Sequence, residues 1–132
     1  MATRHQVRES VVGLLYAHDI GNEGNDKFIE ELFEEKKIRN QQRIFALGLY
    51  EGVQTNKEAI DKAVNEHLKE WELEKLGTIE RAILRLGAYE LLFTEVDSAV
   101  AINEAIELAK ELGGDTAPKF INGVLDALKK GV

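Results

Sequence analysis

Cysteine is absent from this 132-residue chain, and proline and tryptophan each occur once. No disulfide can form, so folding relies on a packed core, and a structural zinc site lacks its commonest ligand. The absence of cysteine also fits a reducing compartment. Long apolar runs are missing too. Charges interrupt every apolar stretch before it reaches bilayer length, and the start, MATRHQVRES, lacks the apolar core of a secretory signal. A soluble cytoplasmic protein with no membrane contact is expected.

Catalytic machinery is equally sparse. His5, His18 and His67 do not form a metalloprotease pattern, and no phosphate-binding or dinucleotide-binding glycine loop occurs. Serine appears only at Ser10 and Ser98, neither in the setting of an activated nucleophile. Gly113-Gly114 follows a helical pattern rather than a strand, so a left-handed helix stop outranks a phosphate cradle. No enzyme activity, no metal and no cofactor are expected.

The length suits one domain, 1–132, able to bury roughly two-thirds of its unfolded surface. Abundant Ala, Leu, Glu and Lys predict an all-α chain of about six to seven helices. The capping-box pattern Thr3 with Gln6 opens a first helix to about Asp19, with Val7, Val11, Leu14, Leu15 and His18 as its stripe. Gly21 to Asn25 reads as a turn. Asp26 to Lys37 follows as a short helix packing Phe28, Ile29, Leu32 and Phe33. Gln41 to Gln54 is expected to bury Ile44, Phe45, Leu47, Gly48 and Val53. A second capping-box pattern, Thr55 with Glu58, predicts a helix reaching Lys69. Trp71 to Thr78 reads as a connector where two sub-bundles meet. Ile79 to Phe93 is the most apolar helix, expected at the centre of the C-terminal half. A helix through Ile102 and Leu112 and a last one with Pro118 in its first turn complete the bundle.

The net charge of −7 disfavours a general nucleic-acid binder, but residues 1–18 and 110–132 each carry +1, leaving −9 between them. If folding joins the two ends, local RNA binding is feasible; otherwise they are only solvated helix ends. Arg4, His5 and Arg8 lie on the first turns of the first helix, with Arg4 and Arg8 four apart on one face, and Tyr16 lies farther along. Two arginines and an aromatic can contact phosphates and stack a base, or the arginines can be solvated and Tyr16 packed in the core.

On the helix from Ile79, Glu90 points with Ile79, Ile83, Leu86 and Phe93. A carboxylate on an apolar stripe needs hydrogen bonds, and backbone N–H groups near Ile102 and Asn103 are the expected donors. The other side holds Glu80, Leu84, Ala88 and Leu91. Spacing favours burial nearly all round; the alternative is a partner-protein face with Leu84 and Leu91 as anchors and Glu80 as rim acid.

Three stretches carry a family resemblance: IERAILRLGAYELL, VAINEAIELAKELGG and KFINGVLD, in that order. They resemble the C-terminal half of the NusB family, and VVGLLYAHDI with RIFALGLYEGV extends a looser likeness toward the N-terminus. The resemblance implies an all-α fold of two helical sub-bundles and a transcription antitermination factor. It would bind boxA-like single-stranded RNA together with the NusE ribosomal protein, within an RNA polymerase antitermination complex. Mapped here, RNA contacts fall to Arg4, His5, Arg8, Tyr16, Lys119 and Phe120, and the NusE face to Glu74, Glu80 and Leu84. Glu90 and the Asn103-Glu104 pair are implied to be structural. The family's denser arginine cluster before the first helix is reduced here to Arg4, His5 and Arg8. Some members also form homodimers. Two alternatives remain: an accessory RNA-binding domain of an rRNA methyltransferase, and a protein–protein module without RNA contact.

Overall fold

The computed structural model describes residues 2–21, 26–68 and 73–131, apart from the side chains of Asp26 and Glu74. Among the described residues the chain forms seven α-helices and no strand: α1 (Arg4–Asp19), α2 (Asp26–Lys36), α3 (Gln41–Thr55), α4 (Lys57–Asn65), α5 (Thr78–Phe93), α6 (Ser98–Leu112) and α7 (Ala117–Lys130). Residues 22–25 of the expected first turn, and 69–72 of the expected α4 end and connector, lie outside the described residues. The described part of the connector holds a short 3-10 turn, Leu73–Lys75.

The first helix starts where the sequence places it. Thr3 Oγ1 accepts from the Gln6 amide at 3.0 Å, and the Gln6 side chain accepts from the Thr3 amide at 2.9 Å, a reciprocal capping box. The second expected box does not form. Helix α3 runs through Thr55, and Asn56 donates its side-chain amide to the Gly52 carbonyl at 2.8 Å, so a helix end replaces a helix start. Helix α4 begins at Lys57. Asp97 caps α6 by accepting from the Ala99 amide at 2.8 Å. Gly113 ends α6 in extended backbone (φ −96°, ψ −179°) rather than the expected left-handed stop.

Helix α5 is buried without a break from Ala82 to Ala88. It packs against α1, α3, α4, α6 and α7, so it is the axis of the whole bundle rather than of its C-terminal half alone. Helices α1, α3 and α5 pack mutually, as do α5, α6 and α7; the two groups share α5. Gly87 permits the close approach of α6 and α7 to α5: a Cβ there would lie 2.9 Å from Leu125 Cδ1 and 3.4 Å from Ala105 Cβ. Helix α2 joins the core through Phe33, with Ile38 just beyond it. Phe28 and Ile44, expected inside, are exposed, because a short helix and a helix start each have only one face to bury. Gly48 is exposed as well. No described helix is long and apolar enough to cross a membrane.

Candidate functional site

Two of the arginines, Arg8 and Arg85, are buried, and a third, Arg81, is half-buried. Arg8 is 5 % exposed and makes a bidentate pair with Glu90, Nε to Oε1 at 2.8 Å and Nη2 to Oε2 at 2.9 Å. Glu90, 1 % exposed, is thus buried and structural as expected, but its donor is a guanidinium from α1 rather than the amides near Ile102 and Asn103. A full carboxylate needs a full countercharge, and a planar fork matches its two oxygens. Arg81 bonds Asp19 at 2.8 Å through Nε, and Arg85 makes a second bidentate pair with Asp61, both bonds 2.9 Å. From its five-helix axis, α5 therefore pins α1 at both ends and α4 once.

With Arg8 drawn inward, the expected pair of surface arginines is reduced to Arg4. Its guanidinium sits 3.9 Å from the centre of the Phe45 ring on α3, and Arg8 approaches the same ring at 5.2 Å. His5 donates or accepts at both ring nitrogens, Nδ1 to Glu104 at 2.5 Å and Nε2 to Glu111 at 2.8 Å. Burial alone lowers its pKa, but the two carboxylates outweigh that and raise it above 6.5. Glu111 is held below the usual carboxylate range, chiefly by its bond to His5. Glu9 is pushed up by burial and by its contact with Glu111. Donor atoms of His5, Glu9 and Glu111 lie within 4.8 Å of one another, the only spacing among the described residues that could hold a metal ion. Both His5 nitrogens are already committed to carboxylates, so the arrangement works as an ion-pair clasp between α1 and α6.

That clasp grips Glu111 on the last turn of α6, the helix end from which the chain passes into α7. At the start of α7, Lys119 is exposed and Phe120 half-buried. Phe120 lines a cleft of about 390 Å³ with Lys75, Leu76, Gly77, Glu80, Thr116 and Ala117. The Glu80 carboxylate lies against Gly77, where a Cβ would meet Oε2. The structure thus brings Glu80, expected at a partner face, together with Phe120, expected at an RNA face.

The remaining expectations separate. Tyr16 is 36 % exposed rather than packed inside. Leu84 is fully buried, so it offers no surface to a partner; the axial helix is apolar on both sides because both sides are covered. Asn103 is exposed, not a buried polar group, since Arg8 and not the α6 start serves Glu90. The Glu74 side chain lies outside the description. Sequence reasoning missed Phe45 as a platform for Arg4, and the arginine pairs of α5. The signal for those pairs was present: Arg81 and Arg85 stand four apart on the most apolar helix of the chain, where an unpaired buried cation is too costly.

Three comparisons place this geometry. The sequence profile described as the NusB family matches residues 5–130. The transcription antitermination protein NusB of a Nitratiruptor species is 60 % identical over 132 residues, covering 100 % of this chain and 95 % of its own. Among solved structures, T. maritima NusB superposes with a TM-score of 0.89 at 32 % identity, covering 98 % of this chain and 92 % of that one. Antitermination factors NusB and NusE in complex with dsRNA contain a chain matching with a TM-score of 0.86 at 30 % identity, covering 98 % of this chain and 97 % of that one. Sequence, fold and coverage agree along nearly the full length: the chain belongs to the NusB family.

Proposed function

We propose that the chain is a transcription antitermination factor, an adaptor that holds boxA-like single-stranded RNA and a NusE-type ribosomal protein at once within an RNA polymerase antitermination complex. The relatives' shared name supports the activity, and the similar chain in the complex of NusB and NusE with dsRNA supports NusE and RNA as partners. The observation that carries the reading here is the cleft shared by Glu80 and Phe120. A protein partner docked at Glu80 would border RNA lying on Phe120, so each weak interface raises the local concentration of the other.

On this reading Arg4 and Lys119 give phosphate contacts, Tyr16 and Phe120 give stacking surfaces, and His5 holds the two helix ends in register. Arg8 acts from inside by holding α1 against α5. Glu80, with Glu74 six residues before it, meets a basic partner. The work is done by equilibrium binding with no catalytic step, in the cytoplasm, and by one domain spanning the chain.

The test separates the two faces. Arg4→Ala combined with Lys119→Ala is expected to weaken binding of a boxA-like RNA about tenfold and to leave NusE binding unchanged. Glu80→Lys is expected to do the converse when NusE affinity is measured in the absence of RNA. Unchanged RNA affinity in the first variant, with wild-type stability, contradicts the RNA assignment; unchanged NusE affinity in the second contradicts the partner face.

A further inference from the structure

The most basic stretch of the sequence is not at either end. Residues 36–43, KKIRNQQR, hold four cations and no acid in a chain of net charge −7. They form the last residue of α2, the connection, and the first turn of α3. The connection closes α2 with a double bond pattern, the Ile38 amide donating to the Phe33 carbonyl at 2.9 Å and the Lys37 amide to Glu34 at 3.2 Å. Ile38 is 1 % exposed and plugs into the core beside Phe33. Lys37 takes the left-handed position (φ 57°) that this motif usually gives to glycine. With Ile38 turned in, Lys37 and Arg39 are turned out.

These two cations line a cleft of about 450 Å³ with Asn40, Gln41 and Gln42, and among the described residues no acid lines it. The cleft borders the start of α1 through two contacts. The Gln42 side chain donates to the Ala2 carbonyl, and Arg4 lies over Phe45, one turn along α3. The acids that face the stretch are Glu34 on Arg39 at 3.3 Å, Glu30 on Arg43, and Glu9 near Lys36. The Arg39–Glu34 pair is solvent-exposed, at 58 % and 77 %, and such pairs are weak enough to be exchanged for a phosphate at little cost.

We infer that the α2–α3 connection is a second nucleic-acid contact, in which Lys37 and Arg39 grip the phosphates of single-stranded RNA as it leaves the α1 start. The inference rests on the RNA-binding function proposed above and deepens it. With Arg8 committed to Glu90 and His5 to two glutamates, Arg4 alone at the α1 start is free for phosphate, and one contact cannot hold a strand in register. The connection supplies the missing charge at the adjoining edge. Amide side chains at Asn40 and Gln41 stand beside it as donors for sugar and base edges. The contact carries charge rather than base selectivity.

The test uses the full chain and a fluorescent boxA-like single-stranded RNA, titrated at several salt concentrations by anisotropy. Lys37→Gln with Arg39→Gln is expected to weaken binding about tenfold and make the log–log salt slope shallower by about 1.4, or about 0.7 for each single-strand phosphate no longer neutralised. The same removal of charge at the far end of α7, Lys129→Gln with Lys130→Gln, is expected to leave both quantities within error. Lys37→Gly with Arg39→Gln, which suits the left-handed position, repeats the effect in a background that cannot be blamed on unfolding. Wild-type binding with unchanged slope and affinity in both connection variants overturns the contact and leaves the proposed function standing. Equal weakening in the α7 control reduces it to net charge and overturns it too, as does an effect confined to NusE affinity. No RNA binding by the wild-type chain, alone or with NusE, overturns the contact and the function together.

Discussion

Two sets of cations in this molecule look alike in sequence and do opposite work. Arg8, Arg81 and Arg85 surround the axial helix, each within 3 Å of a carboxylate, and their charge is spent inside the fold. Arg4 at the start of α1 and Lys37 and Arg39 in the adjoining α2–α3 connection are exposed, with at most a ring or a solvated acid for company. Counting arginines near the N-terminus therefore overstates the RNA-binding surface, and the net charge understates it. Burial, not number, divides the cations: a guanidinium deep in a bundle must be matched at once by a carboxylate, whereas one on a helix start stays available.

The contrast can be broken most severely from the inside. Glu90→Ala leaves Arg8 buried without its bidentate partner, with only the Glu104 carboxylate 3.7 Å from Nη1, and is expected to cost about 3 kcal/mol in urea unfolding, while Arg8→Met with Glu90→Leu restores most of that. A cost below about 1 kcal/mol for Glu90→Ala would mean that Arg8 escapes to solvent, and the division between interior and surface cations would fail at its clearest case. The tenfold RNA effects expected at Arg4 with Lys119, and at Lys37 with Arg39, come next.

Lys37→Gly sharpens the contrast at smaller scale, because it should move stability and binding in opposite directions. Relief of the left-handed strain, less the entropy glycine adds to the unfolded chain, is expected to stabilise by about 0.5 kcal/mol. RNA affinity should fall severalfold at the same time. Thermal unfolding and anisotropy on one preparation check both signs.

The smallest effect concerns His5, which belongs to neither set. Its folded pKa is raised, so the clasp contributes fully below its ordinary value of 6.5 and is lost as pH rises through the folded value. Tm should decline over that interval in the wild-type chain, and His5→Gln should flatten the decline. A wild-type Tm that does not fall more steeply than the variant's would remove the clasp from the account.

Local features were legible in the sequence and long-range ones were not. Thr3 and Gln6 announce the start of α1 because both partners of the cap lie three residues apart. Thr55 and Glu58 give the same pattern without the cap, since whether α3 continues past Gln54 depends on Asn56 folding back onto Gly52. Glu90 is identified as a buried carboxylate by its place on an apolar stripe. Its partner is not, because Arg8 lies 82 residues away and only the crossing of α1 over α5 brings them together. Leu84 shows the limit of periodicity: a helix with two apolar sides is compatible with a docking face and with an axis, and only the packing decides. The α2–α3 edge stayed hidden for a similar reason. Its charges are plain in sequence, but their nearness to Arg4 depends on α3 running beside α1.

The central claim is that this NusB-family chain holds RNA and a ribosomal protein together. Its most direct test is the affinity of a boxA-like single-stranded RNA for the protein alone and premixed with its NusE-type partner, against a scrambled RNA of equal length. Weak, salt-sensitive binding by the chain alone is expected, and sequence-selective binding that tightens when the partner is present. Equal affinity for both RNAs with no gain from the partner, or no binding in either condition, would contradict it.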